Sequence, residues 1–574
     1  MELVISFPIN VVAALSVRSR SRIAVIHAHR FQTGNKIVLH PSRSLPSRKP
    51  TFSILALAGL LLVAACNKPT ATQPAATSQS SHGESGIQWL KGDVDAAFAA
   101  ARAQHKPVFL YWGAIWCPPC QQLKATVFSR PDFIAKTRLF VPVYLDGDET
   151  SAQKWGEAFR VQGYPTLVIL DADKHEVMRL AGGMDLSQYA SVLDTALADL
   201  APVDSTLASA SATQVLSATT CNRLAFNAWT LEDLGEQEFA TRAAQLAQLS
   251  SHCLQAAPVA GARLAVFAAY FQAAAEAPNI AKGVAPSKAM RDDIDLVQTV
   301  LKQYGNDAKL ADALQTLDEN FFKAVRAADQ TSGQAVRDAY IAAMDAESKD
   351  NNLAEADHLS ALGRKLLASR VLSAAGKWPE QYVSDARARI DAVLQQHQTP
   401  YVRSSILNSV LNVYDELKLY QAAYDLVKTE LPKAEHPYYL KGDLAEIAEE
   451  LGRKDEALMW RDQAYKEAEG TATRFQWGQR YASALMRLQP QDTQRITDVT
   501  TQVLTELDGP DRIYRRARLG LERLDKDLNA WNKAANNQHS AVLKSLHTQL
   551  QQVCGKIPAN ESARGSCDLF LASG

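Results

Sequence analysis

Between residues 107 and 200 the chain alternates two kinds of apolar pattern. Pro107-Val108-Phe109-Leu110-Tyr111-Trp112 is a continuous apolar run of the kind found in a strand covered on both faces, and Thr166-Leu167-Val168-Ile169-Leu170 reads as another strand. Residues 93–104, 121–128, 152–159 and 186–200 instead read as helices. Residues 139–145 and 177–181 predict two more strands, the first closed by Asp146-Gly147-Asp148 and the second preceded by the Asp171-Ala172-Asp173 turn. Ile87-Gln88-Trp89 opens the pattern, so residues 87–200 are expected to form an α/β layer structure. Beyond residue 213 strand patterns all but vanish. Residues 214–574 are dense in Ala, Leu, Gln, Glu and Arg with apolar spacing of three and four, which predicts an all-helical domain.

One stretch lacks enough large apolar residues to order itself, and a second is marked as a linker by its composition. Residues 66–86, rich in Pro, Thr, Ser, Gln and Ala after Asn67, read as a flexible tether with a reach of roughly 25 Å. Residues 201–213, rich in Ser, Ala and Thr, read as a second linker. A chain of 574 residues is expected to hold two to four domains.

Charge is uneven along the chain. Eight of the 61 basic residues and one of the 62 acids, Glu2, lie in residues 1–65, which leaves 53 basic against 61 acidic residues in the rest. That acidic remainder has no basic stripe with interleaved aromatics, so nucleic acid is not an expected partner. Residues 52–65 are an apolar run preceded by Arg48-Lys49 and ended by Cys66, too short to span a bilayer. They read as an export signal. Val63-Ala64-Ala65-Cys66 further resembles the bacterial lipobox, with Val63 where that motif more often has Leu, and the resemblance implies lipidation of Cys66 and a membrane anchor. The alternative is an ordinary signal peptide in which Cys66 is incidental. Residues 1–44 fit no signal design, and a translation start near Leu45 would give a compact basic flank. Asn67 after the cysteine favours outer-membrane sorting by the same resemblance.

Trp116-Cys117-Pro118-Pro119-Cys120 is the segment with the most chemistry in it. Two thiols three positions apart at a helix start can close a disulfide reversibly, and the helix N-terminus stabilises the attacking thiolate. Besides these and Cys66, four of the seven cysteines remain: Cys221, Cys253, Cys554 and Cys567. An even number in an exported chain predicts structural disulfides with three possible connectivities, of which the sequence-local pairs Cys221–Cys253 and Cys554–Cys567 are preferred. Zinc is the competing reading, but no second CxxC or nearby CxxH exists, and no metal or organic cofactor is expected.

Lys106-Pro107-Val108-Phe109-Leu110, the WCPPC segment, Val127-Phe128-Ser129-Arg130-Pro131 and Gly163-Tyr164-Pro165-Thr166 follow one another as they do in the thioredoxin superfamily, which residues 87–200 resemble. The segment after the cysteines is similar to periplasmic members, including the C-terminal domain of the DsbD family. The resemblance implies an exposed nucleophile at Cys117 and a resolving thiol at Cys120. It also implies a shielding role for Trp116, a cis-proline at Pro165, and a client groove lined by Tyr164. Protein thiols and disulfides would be the substrates, and another redox protein would recycle the pair. Two positions depart from the family. Tyr111 stands where many thioredoxins carry a buried acid, and Gln121 where a lysine often follows the second cysteine. With no Asp or Glu between Lys106 and Cys120, proton transfer is expected to use water, Tyr111 or an acid from elsewhere.

A 34-residue interval superposes Val410 on Leu444, Val413 on Ile447, Leu417 on Leu451 and Ala423 on Ala457, with a weaker third copy at Tyr481 and Leu485. Leu451-Gly452-Arg453-Lys454-Asp455-Glu456-Ala457 resembles the helix junction of tetratricopeptide repeats, placing such repeats around 401–506. Ala423, Ala457 and Gly452 read as packing residues. The expectation is therefore a periplasm-facing, membrane-anchored thiol:disulfide oxidoreductase that reduces clients presented by its helical domain. The rival is an interaction lipoprotein whose head and repeats are binding modules.

Overall fold

The computed structural model describes residues 86–571 except positions 181, 183, 185, 213–215, 233, 398–399, 510–511, 559–563, 566 and 568–569. The export segment, Cys66 and the tether up to residue 85 lie outside the described residues. A five-stranded mixed sheet opens the described chain. Its order is β1 (Leu90–Lys91), β3 (Val141–Asp146), β2 (Val108–Gly113), β4 (Thr166–Leu170), β5 (Glu176–Leu180). The β3 strand runs parallel to β1 and β2, whereas β4 is antiparallel to both β2 and β5. Every residue of β2 and β4 is buried, which is why these two segments carry near-continuous apolar runs rather than an alternating pattern.

Helices α1 (Val94–Gln104), α2 (Pro118–Thr126), α3 (Pro131–Thr137), α4 (Thr150–Ala158) and α5 (Gln188–Ala198) surround the sheet. Asp93 caps α1 by accepting the Ala96 N–H at 2.8 Å. The helix α3 has no counterpart in the periodicity, because seven residues are too few to show a repeat of 3.6. It also delays β3 to Val141: the Leu139 and Phe140 N–H groups turn back onto Lys136 and Thr137 carbonyls at its end.

From Val203 onward the described residues form helices and no strand. The stretch 201–213 is not the linker its composition predicts. It forms the helix Val203–Ala212, because Val203 and Leu207, one turn apart, are buried against the neighbouring helices, and Thr206 accepts from the Arg223 guanidinium. The helix Pro258–Ile280 is buried almost all round and forms the centre of a core spanning Val203 to Val371. Cys221 and Cys253 are joined by a disulfide of 2.08 Å across this core. Closing a loop with a sequence separation of 32 restricts the unfolded chain, so the double replacement by serine should cost about 3–4 kcal/mol in the chain-entropy model. A urea titration in which the midpoint for this core did not move would contradict it.

The repeat region forms helix pairs Pro400–Glu416 with Tyr420–Glu430, Pro437–Glu450 with Lys454–Glu467, and Thr471–Leu488 with Thr493–Thr505. Ala423 and Ala457 are buried. Gly452 is not a packing residue. It adopts φ +73° with open space around its missing Cβ, and it ends its helix in a left-handed turn closed by Arg453 N–H to Ala448 O at 2.8 Å. Thirty-four positions earlier, Lys418 takes φ +58°, and Leu419 N–H reaches Tyr414 O at 2.8 Å in the same way. In the third pair the first helix runs on to Leu488, past the position equivalent to Gly452, so the 34-residue register is lost there.

Candidate redox site

The chain leaves β2 at Gly113 and enters α2 with Cys117 as its N-cap. Pro118 and Pro119 occupy the first helical positions, where a missing N–H costs no hydrogen bond and a fixed φ suits the helix. The Cys117 sulfur accepts the Cys120 N–H at 3.2 Å, so the Cys117 side chain does the work of a capping oxygen. The two cysteines form a disulfide with Cα atoms 5.2 Å apart. Pairing of β2 with β4 sets Trp112 opposite Thr166, which carries the loop before β4 to the end of the sheet from which the cysteines depart. In that loop the Tyr164–Pro165 peptide bond is cis, and Thr166 Oγ1 donates to Gly163 O at 2.8 Å. The Trp116 and Tyr164 rings meet edge to face at 5.4 Å.

Asp148 ties these parts together. It accepts from Trp116 Nε1, from Tyr164 Oη at 3.4 Å, from Thr473 Oγ1 and from Arg516 Nη1 at 2.9 Å. The sequence shows Asp148 only as the end of a strand-closing turn. Its partners Thr473 and Arg516 lie 325 and 368 positions away, beyond the reach of any local pattern. Gly147 beside it is required sterically, since a Cβ would come within 2.2 Å of the Tyr164 ring and 2.5 Å of Trp112 Nε1.

This strand, turn and helix arrangement matches a family model described as a thioredoxin-like domain over residues 94–197. Residues 94–197 are a thioredoxin-like domain. A relative of similar sequence is the thiol:disulfide interchange protein DsbD 2 of Pseudomonas aeruginosa, 27% identical over 101 residues. The match covers 17% of this chain and 17% of that protein. The chain is thus a thioredoxin-like domain fused to an all-helical region.

In the thioredoxin-like domain the position six residues before Cys117 holds Tyr111, which stacks on Tyr144 at 5.2 Å and meets Phe128 edge to face at 4.9 Å. The sheet register sets Asp146 opposite Gly113, at the same end as the cysteines. Burial raises the Asp146 carboxyl above the usual range, even though it accepts the Asp148 N–H at 3.0 Å and the Tyr144 hydroxyl at 3.3 Å. One turn beyond Cys120, burial lowers the Lys124 ammonium, while Asp146 opposes that shift.

Cys117 is not the exposed nucleophile that the resemblance implies: both Cys117 and Cys120 are 0% exposed. The physical reason is the helical region. Tyr439 stacks on Trp116 with ring centroids 5.4 Å apart, and the Arg516 guanidinium lies 4.8 Å over the Tyr164 ring and bonds its hydroxyl. The helix Pro400–Glu416 packs on α2, and Gln122 of α2 donates to Asp357 at 3.1 Å. Burial lifts the Asp357 carboxyl to about 6. The thioredoxin-like domain and the last helices share one apolar core that reaches from Ile87 to Leu571.

Cys554 and Cys567 are joined at 1.99 Å, so both distal pairs are the sequence-local ones. Among the described residues no group of three or more His, Cys, Asp or Glu could hold a metal ion, and no helix is long and apolar enough to cross a membrane.

Proposed function

We propose that the chain is an envelope thiol:disulfide oxidoreductase working through Cys117 and Cys120. The observation that carries this reading is the position of Cys117 as the N-cap of α2, its sulfur facing the Cys120 N–H, where the helix end favours a thiolate. In the reduced form the Cys117 thiolate attacks one sulfur of a client disulfide and expels the other as a thiolate. The Cys120 thiol gives up its proton, attacks the Cys117 sulfur and releases the reduced client. Two electrons pass to the client, and a dithiol protein must return them to the pair. Net reduction is the proposed direction, because Pro119 rather than a histidine precedes Cys120 and no imidazolium adds to the helix-end stabilisation of the thiolate. Trp116, Tyr164 and Pro165 would line the client groove.

A second reading has an observation of its own. The helical region covers Trp116 and Tyr164, so the head docks on the protein's own helices, which suits a scaffold whose thiols do no chemistry. Turnover in an insulin-reduction assay supports the oxidoreductase; none above background, with a cellular phenotype that survives Cys117→Ser, supports the scaffold.

The localisation proposal is an export signal cleaved before Cys66 and a lipid on that cysteine, giving a periplasm-facing anchor, with the outer membrane favoured by Asn67. Cys66→Ala should then accumulate as a longer, unprocessed precursor that no longer takes up labelled fatty acid. Normal processing and unchanged membrane association of the variant would remove the anchor from the proposal. Tetratricopeptide-type repeats remain our reading of residues 401–506, supported by the paired turns at Lys418 and Gly452.

A further inference from the structure

The face of a thioredoxin-like head that receives a client chain is the one formed by the residue before the first cysteine and by the loop carrying the cis-proline. Here that face is occupied by the protein itself. Tyr439, from the helix Pro437–Glu450, stacks on Trp116. Thr473, from Thr471–Leu488, donates to Asp148, and Arg516, from Arg515–Ala534, pairs with Asp148 and bonds Tyr164. With both sulfurs fully buried beneath these contacts, no protein-sized disulfide can align with Cys117.

This cover holds buried polar groups as well as apolar contacts. It leaves a cavity of about 10 Å³, lined among others by Trp116, Tyr439, Asp443, Gln476, Arg480 and Arg516, with room for no more than a water-sized molecule. Gln476 Nε2, Arg480 Nη2 and Arg516 Nε find no hydrogen-bond partner among the described residues. Burial also lifts the Asp443 carboxyl well above its ordinary range. Buried polar groups without partners carry an unrecovered desolvation cost, and separating the two surfaces returns them to water. The contact therefore combines specific closure with polar groups that opening would return to water.

We propose that helices Pro437–Glu450, Thr471–Leu488 and Arg515–Ala534 form a gate over the CPPC site, closed by the Trp116–Tyr439 stack and the Asp148–Arg516 pair, and that this gate must open before a protein client reaches Cys117. The inference rests on the oxidoreductase reading for its purpose, but not for its test. The reduced full chain is alkylated with iodoacetamide and, separately, with a polyethylene glycol maleimide, and modification at Cys117 is read by peptide mass spectrometry. The wild type should label at least about tenfold more slowly than the urea-unfolded chain, a factor equivalent to about 1.4 kcal/mol, and the bulky reagent should be the more retarded. Tyr439→Ala and Arg516→Ala, checked for an unchanged far-ultraviolet spectrum and a cooperative melt, should each label about tenfold faster than wild type with the bulky reagent. Insulin reduction should rise in step, and reduction of a small aromatic disulfide should rise less.

Wild-type Cys117 labelled by both reagents at the unfolded rate would overturn the gate without recourse to any variant. So would folded variants that label no faster than wild type. Faster labelling in the variants with no insulin reduction by any of them would uphold the gate and defeat the oxidoreductase reading.

Discussion

Cys117→Ser should lower insulin reduction by the full chain about a thousandfold or more, to the level of the buffer thiol alone. A serine hydroxyl at the N-cap keeps the hydrogen bond from the Cys120 N–H, so α2 stays capped and the loss is one of chemistry rather than of fold. Without the first sulfur no mixed disulfide forms. Cys120 is not expected to substitute for it, because it lies inside the first turn and not at the N-cap, where the helix end favours a thiolate. Cys120→Ser should behave differently. It leaves the attacking sulfur but removes the thiol that resolves the adduct, so Cys117 should accumulate in disulfide linkage with client chains and turnover should stop after one event. Non-reducing electrophoresis followed by mass spectrometry separates the two outcomes. Full turnover by Cys117→Ser would move the chemistry to other cysteines, and adducts carried by Cys120 in the wild type would reverse the two roles.

Arg263→Met should destabilise the first helical core by about 3–5 kcal/mol. Arg263 is 1% exposed and makes a two-pronged contact with Asp312, at 2.6 and 2.7 Å, inside the core centred on Pro258–Ile280. It also donates to Ala225 O at 2.9 Å and lies 4.2 Å over the Phe226 ring, so it joins three segments distant in sequence. Methionine fills much of the volume but leaves the Asp312 carboxylate buried with its cation gone. Most of the cost comes from that stranded charge. Pairing Arg263→Met with Asp312→Leu should therefore recover a large part of the loss, as expected when a buried ion pair is replaced whole by apolar groups. Urea unfolding of the two single variants and the double variant measures this directly. Additive losses in the double variant would mean that the two side chains act independently and that the ion pair is not the origin of the effect.

Local pattern carried the reading of this protein as far as neighbouring residues dictate structure. The apolar runs at Val108–Gly113 and Thr166–Leu170 announce strands because both faces of those strands are covered. The CPPC segment announces a helix start because proline suits the first turn and a cap is needed there. The 34-residue offset falls on two successive helix pairs, in which Val410 and Leu444, and Ala423 and Ala457, are buried. These are effects of residues within one or two turns of each other. Composition misleads at 201–213, where Val203 and Leu207 are enough to bury one side of a helix that otherwise reads as Ser, Ala and Thr. The short helix Pro131–Thr137 escapes because it completes scarcely two turns.

The burial of Cys117, the convergence of donors on Asp148 and the position of Arg516 over Tyr164 have a different origin. Each depends on which surface of the helical region meets the head, and that choice is made by packing between segments more than 300 residues apart. Asp148, Thr473, Tyr439 and Arg516 are ordinary polar and aromatic residues in their own neighbourhoods. Their partners exist only once Ile87 to Leu571 have closed into one core, because a hydrogen bond or a ring stack is a relation between positions in space and leaves no periodic trace along the chain.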